Sequence, residues 1–294
     1  MSNHFRKQVF ELIQKGVIVC PVTKKKLKIQ QNFLVGQKHK YLFLDNQVPV
    51  LLKDSSSIKR YANTSKRMTI EYKPLIQFFK NSLINRIRSF EYRTQSSISA
   101  EKSLFKGLKK KSVCLSIGGG PQRQHEELLN LNISNFPNVD IVGDAHLLPF
   151  KDQSVDRVYS IAVFEHLHSP ETACQEIWRV LKKKGRAFIL TPFMQTYHGY
   201  PNHYQNYTLT GHDLLFKKRG FKVISSGTAM GPTVALRFMI AKYFLNLFPK
   251  PFNYILRGLW EPISILLGPL DFLVRNHSKS HFLASTTYTL IEKP

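Results

Sequence analysis

The 294-residue sequence predicts an α/β protein built on a mostly parallel sheet with helices on both faces. Three observations carry that reading. An apolar run at 113–117 breaks into Gly118-Gly119-Gly120; strand-like and helix-like segments alternate between 113 and 192; and the polar residues that interrupt them fall at the carboxyl ends of the predicted strands, where such sheets keep their ligands.

The elements follow in order. Residues 1–16 are charged throughout and contain no apolar signal-peptide core, so no leader is expected. Residues 17–53 read as short strands, 54–65 as a polar loop, and 70–93 as a helix that mixes apolar and basic residues. The run 113–117 is a strand, the three glycines and Pro121 form a tight turn, and 122–129 suits a helix. Such a turn lets the backbone approach a ligand where a Cβ would collide with it, and it aims the amides of the helix start at a polar group.

Residues 139–145 make a strand ending on Asp144, and 155–160 make another. The helix 170–181 carries Ala173, Ile177, Val180 and Leu181 at helical spacing, and Lys182-Lys183-Lys184-Gly185 closes it with positive charge and a glycine. A strand at 187–192 follows. An alternating segment at 284–291 supplies a last strand, expected at the edge of the sheet.

Taken together, Ser116-Ile117-Gly118-Gly119-Gly120, Gly143-Asp144-Ala145-His146 with Leu148-Pro149-Phe150, Ser154-Val155-Asp156, Phe164-Glu165-His166-Leu167 and Arg179-Val180-Leu181 resemble a class I S-adenosylmethionine-dependent methyltransferase of the type 11 kind over residues 112–226. The resemblance implies a Rossmann-like, seven-stranded sheet and S-adenosylmethionine as cofactor. It sets Ser116, Gly118, Gly119 and Gly120 against the methionine and ribose part, Asn132 at the ribose hydroxyls with Asp140 as fallback, and Asp144 with Ala145 at the adenine edge. Ile161, Ala162 and Val163 floor the pocket.

The chain departs from that pattern. Most members carry an acid where this chain has Ser116, a glycine where it has Gln122, and an acid where it has Asn132, which can bond a hydroxyl but brings no charge. Residues 132–139 are also too few for the usual crossover helix. A dinucleotide oxidoreductase fits less well, because Pro121-Gln122-Arg123 lacks the third glycine of its fingerprint.

After the strand at 187–192, residues 193–208 contain His198 and His203, Tyr197, Tyr200, Tyr204 and Tyr207, and almost no aliphatic side chain. A loop at a strand's carboxyl end with such groups suits acceptor binding and proton transfer. His198 and His203 are the candidate bases, with Tyr204 and Glu165 behind them; His166 shapes the pocket. Equally, the loop could be an aromatic lid with Thr208 or Thr210 capping the next helix.

Charge is concentrated in the first part. Residues 1–111 hold 24 Lys+Arg against 6 Asp+Glu, and residues 112–294 hold 19 against 13. A basic arm of this kind favours an anionic partner such as RNA or an acidic membrane surface. Within it, Cys20-Pro21-Val22-Thr23 and the strands to Leu52 look like a degenerate zinc-ribbon-like module; Thr23 stands where a second cysteine ligand belongs, so no metal is expected.

Cys20, Cys114 and Cys174 are too few and too scattered for a disulfide framework, which points to the cytoplasm, with peripheral membrane attachment as an option. Residues 232–280 are apolar and aromatic, yet no uncharged run approaches a membrane span, so they read as a helical cover over the sheet or pocket, or as an amphipathic surface on anionic membrane. The domain reading is a basic region 1–111, with its β module at 17–53, followed by a catalytic domain 112–294.

Three functions are compatible with these features: a methyltransferase acting on a small-molecule, glycan or lipid-linked hydroxyl, an RNA methyltransferase using the basic arm, and a catalytically silent binding protein of the same fold.

Overall fold

The computed structural model describes residues 2–53, 93–199 and 202–294. The expected loop at 54–65 and nearly all of the expected helix at 70–93 lie outside the described residues.

The centre is an eight-stranded sheet. In spatial order it runs β10 (Lys222–Met230), β11 (Thr286–Glu292), β9 (Leu181–Pro192), β8 (Val155–Ile161), β5 (Cys114–Ile117), β6 (Leu128–Asn132), β7 (Ile141–Gly143) and β4 (Val50–Leu51). The pairings from β4 to β9 are parallel, while β11 is antiparallel to both β9 and β10. The last strand therefore lies inside the sheet rather than at its edge, and the outer position belongs to β10, whose mixed Ser/Thr/Gly composition hides it from an apolar pattern search.

Seven strands match the expected sheet. The eighth, β4, comes from the basic N-terminal region, which thus joins the same sheet; its other strands, β1 (Lys28–Gln30), β2 (Phe33–Val35) and β3 (Lys40–Leu42), form a separate antiparallel ribbon. Cys20 is a buried free thiol, and its Sγ lies 3.1 Å from the Tyr41 hydroxyl.

The crossovers between β5, β6 and β7 are short. The predicted helix at 122–129 does not form: residues 118–127 run as turns directly into β6. Helix propensity loses here because Leu128 is already needed opposite Cys114 in the ladder. Helix α1 (Ser2–Gln14) supplies apolar cover instead. Its Phe5, Val9, Leu12 and Ile13 are buried in one cluster with Leu115, Ile117, Leu129, Leu131 and Ile141, and the Arg123 guanidinium stacks 3.6 Å from the Phe5 ring.

The opposite face carries α2 (Gln95–Leu104), whose Ala100 and Leu104 share a core with Cys114, Leu128, Tyr159, Phe188 and Tyr288. Helix α3 (Pro170–Val180) buries Ala173, Cys174, Ile177 and Val180, the spacing of one helical stripe, and α4 (Leu209–Lys217) buries His212 and Phe216. Helices α5 (Pro232–Leu247) and α6 (Phe252–Leu267) pack on each other, followed by the short α7 (Asp271–Val274). Only the first turn of α5 is fully inside, at Thr233, Val234 and Ala235.

Candidate active site

Because β5 to β9 are parallel, their carboxyl ends share one rim. The register sets Ile117 beside Leu131 and Ser160, and Leu131 beside Ile141, so Gly118, Asn132, Asp144 and Ala162 begin adjacent loops.

The glycine turn is fixed from below. Gly118 has φ +72° and donates its N–H to the Leu131 carbonyl at 2.8 Å. A β-carbon on Gly119 would lie 2.3 Å from Asn130 Oδ1 and 2.8 Å from Ser116 Oγ, so both polar groups sit directly beneath the turn. Asn130 Nδ2 ties the turn down by donating to Gly120 O at 3.2 Å, and its Oδ1 is buried without a hydrogen-bond partner. Ser116 is almost fully buried here. A longer acid in its place would press on Asn130, which gives the departure at this position a steric reason. Gly120, with φ +61°, has open space where a β-carbon would project.

At the next strand end, Asn132 is buried and donates Nδ2 to Ser134 O at 2.9 Å. Asp140 does not share the rim: it precedes β7, ion-pairs with Arg123 at 2.9 Å and accepts the Asn130 N–H at 2.7 Å. Its fallback role at a ribose is therefore corrected to a structural one, since both oxygens are spoken for and the side chain is nearly sealed.

Asp144 caps the turn Ala145–Leu147, and its Oδ1 receives the His146 N–H at 2.9 Å and faces His146 Nδ1 at 2.7 Å. Burial alone would raise this carboxyl, but the His146 ring and amide outweigh it and hold it below the usual range. Ala145 is buried, Ile161 half-buried, and Ala162 exposed with φ +53°.

These residues suit S-adenosylmethionine. A β-carbon-free turn stands over an unsatisfied amide oxygen, a buried amide side chain ends β6, a carboxylate ends β7 and small apolar residues end β8. No helix starts behind the turn, so the groups offered at this rim belong to the turn itself and the neighbouring strand ends.

The loop after β9 is fastened across this rim. Tyr204 N–H donates to Glu165 O at 2.8 Å, and Gln205 Nε2 donates to Phe164 O and Leu167 O. That brings His198 and His203 against His166, with ring centroids 5.2 and 5.8 Å away. Tyr204 is exposed and its hydroxyl accepts from Asn202 at 2.9 Å.

His203 accepts the His198 N–H at Nδ1 and donates from Nε2 to Asn206 Oδ1 at 2.7 Å, so both of its nitrogens are engaged. The Glu165 carboxylate beside His198 holds that imidazole above its usual range, while burial holds His166 below. Sequence reasoning set Glu165 behind His198 and gave the adjacent His166 a pocket-shaping role, but did not foresee that the three meet; His198 is over thirty residues from the other two in sequence, and the fastened loop brings it to them. Arg123 was also missed, because a lone arginine in a turn carries no pattern.

The methyltransferase-domain family profile matches residues 119–189. An uncharacterized methyltransferase of Schizosaccharomyces pombe is 42% identical over 65 residues, which is 22% of this chain and 26% of that protein. The demethylmenaquinone methyltransferase of Thermotoga maritima is 46% identical over 50 residues, 17% of this chain and 22% of its own. The chain thus spans about a quarter of the length of the curated relatives it matches. Among solved structures, the Haemonchus contortus phosphoethanolamine N-methyltransferase 2 in complex with S-adenosyl-L-methionine aligns over 74% of this chain and 59% of its own at 18% identity, with TM-score 0.41.

Proposed function

We propose that this chain, which carries a class I S-adenosylmethionine-dependent methyltransferase domain, binds S-adenosylmethionine on the rim of β5 to β8 and transfers its methyl group to a lipid-linked or small-molecule hydroxyl. The observation that supports cofactor binding is the ordered convergence of Gly118 to Gly120, Asn132, Asp144, Ala145, Ile161 and Ala162 at adjacent strand ends, inside the segment that matches the family.

The bound cofactor supplies a methyl group activated on a sulfonium. The chain's part is to hold the acceptor in line and keep water out. The loop bearing His198, His203 and Tyr204 lies over the same rim and walls the acceptor side. A hydroxyl acceptor must lose a proton. Because His203 is engaged at both nitrogens, His198 is the better-placed receiver of the two.

A lipid-linked acceptor is favoured by α5 and α6, which expose Leu236, Phe238, Leu247, Phe252, Leu259 and Leu266 beside Lys242 and Lys250. Among the described residues no helix is long and apolar enough to cross a membrane. Exposed apolar side chains flanked by cations suit attachment to an anionic lipid surface. The RNA alternative has the exposed Lys25, Lys26, Lys28 and Lys38 in its favour.

Calorimetric titration with S-adenosylmethionine and S-adenosylhomocysteine tests the reading. Micromolar binding that weakens in Asp144→Ala supports it; absence of binding to either would leave the fold as a scaffold. RNA binding that falls steeply with salt, with no vesicle binding, would move the acceptor to RNA.

A further inference from the structure

We propose that Glu165, His166 and His198 form a binding site for one divalent transition-metal ion of the zinc class. Their ligand atoms lie within 4.8 Å of one another, and both His166 Nε2 and His198 Nε2 stand 3.7 Å from Glu165 Oε1. Ligands roughly 2.1 Å from a tetrahedral ion stand roughly 3.4 Å apart, so each imidazole nitrogen need move only a few tenths of an ångström nearer the carboxylate oxygen, while the two nitrogens lie within 4.8 Å of each other.

The burial of Glu165 carries the argument. Its side chain has no solvent exposure, and both carboxylate oxygens are buried without a hydrogen-bond partner. A carboxylate in that position is costly unless a cation compensates it.

The two imidazoles are arranged to hold such a cation. His166 Nδ1 lies 2.7 Å from Asn202 O, and His198 Nδ1 lies 3.0 Å from Thr196 O. A carbonyl oxygen only accepts, so Nδ1 of each ring carries a proton, and Nε2 is the nitrogen left to face the carboxylate and to offer a lone pair once it holds no proton of its own. At 3.7 Å each Nε2 is too far from the carboxylate for a direct hydrogen bond. An ion between them would be held by all three groups at once. Backbone carbonyls on the far ring nitrogens are the usual outer partners of metal-bound histidines.

Three protein ligands leave a position open, and side-chain exposure rises from Glu165 to His166 at 14% and His198 at 39%, so that position faces the rim. An acceptor oxygen bound there would be acidified by the ion, and this role rests on the methyltransferase reading above. His198 then acts as a ligand and takes up no proton; the acceptor's proton leaves to solvent as its oxygen binds the ion.

The test uses the full, tag-free chain stripped with a chelator and titrated with zinc, with magnesium, and with cobalt(II) as a spectroscopic probe. The expected result is one zinc per chain, magnesium far weaker because two imidazoles disfavour it, and affinity reduced about a hundredfold in both His198→Ala and Glu165→Gln. Cobalt(II) should give visible absorption that both variants lose. His198→Ala lies on an exposed loop and guards against a folding defect in the buried variant. No zinc binding, or zinc binding unchanged in both variants, overturns the site. S-adenosylmethionine titrated into the same samples separates the two ideas: zinc without cofactor leaves the metal site standing and removes the methyltransferase reading, and cofactor without zinc does the reverse.

Discussion

Gly118 packs directly against the side chain of Val163: a β-carbon at Gly118 would lie 2.3 Å from Val163 Cγ2. The glycine turn after β5 is thereby keyed to the end of β8, and the two sides of the rim are one packed unit. Gly118→Ala must displace Val163 and hold φ near +72°, whereas Gly120→Ala meets open space and carries only the backbone strain. We expect Gly120→Ala to cost about 1 kcal/mol of stability. Gly118→Ala should cost more and weaken S-adenosylmethionine binding at least about tenfold, because a misplacement of this size at a binding turn is felt in full. Thermal melts and calorimetry of the two variants together check it; equal effects would show that the packing against Val163 is irrelevant.

Arg123 replaces a crossover helix with a side chain. It donates to Leu128 O, ion-pairs with Asp140 and stacks on Phe5, so one guanidinium joins the short connection, the start of β6 and helix α1. Arg123→Met leaves Asp140 buried without its cation, a defect of about 3 kcal/mol or more. Pairing it with Asp140→Asn removes the orphan charge and should recover part of that loss. Denaturant unfolding of both singles and the double measures the coupling, and strictly additive losses would sink the idea.

The sheet was legible because its central strands are apolar runs with polar ends, as at 113–117 and 139–145, and parallel order follows from that alternation. The missing helix was not legible. Gln122 to Leu129 has helical composition, and what overrides it is the ladder position of Leu128 together with cover from α1, a contact more than a hundred residues distant in sequence. The glycine turn, Asn132 and Asp144 could be read in order along the chain, since each ends its own strand. Glu165 could be set behind His198 from the sequence, but the three-way meeting with His166 could not be read, because it depends on hydrogen bonds from Tyr204 and Gln205 that leave no sequence period.

Glu101 predicts an acid-sensitive fold. It receives Tyr159 OH and His125 Nε2 at 2.7 Å each and pairs with Arg93, joining α2 to the sheet. Burial would raise this carboxyl, yet these partners bring it from 4.5 down to about 2. A carboxyl depressed in the folded state contributes stability above its unfolded value and loses it as pH falls toward its folded value. The contribution is about 3 kcal/mol at neutral pH, lost between roughly pH 4.5 and 2. Glu101→Gln should be less stable at pH 7 and show a flatter acid limb in thermal melts from pH 7 to 3. A parallel, merely lowered curve would place the acid sensitivity elsewhere.

The α5–α6 hairpin should decide where the protein works. Leu259 and Leu266 are 64% and 77% exposed, so replacing them costs the fold little, while each leucine buried in an acyl boundary is worth about 2 kcal/mol. On vesicles containing phosphatidylserine, the protein should bind tightly at low salt, and Leu259→Glu with Leu266→Glu should weaken binding at least about tenfold by removing apolar area and adding charge of the wrong sign. Melting temperature and S-adenosylmethionine affinity should stay unchanged, since neither residue touches the rim. Undiminished vesicle binding would transfer membrane attachment to the basic N-terminal face. A change in sedimentation that depends on protein concentration and vanishes in the double variant would instead show a second copy covering the hairpin.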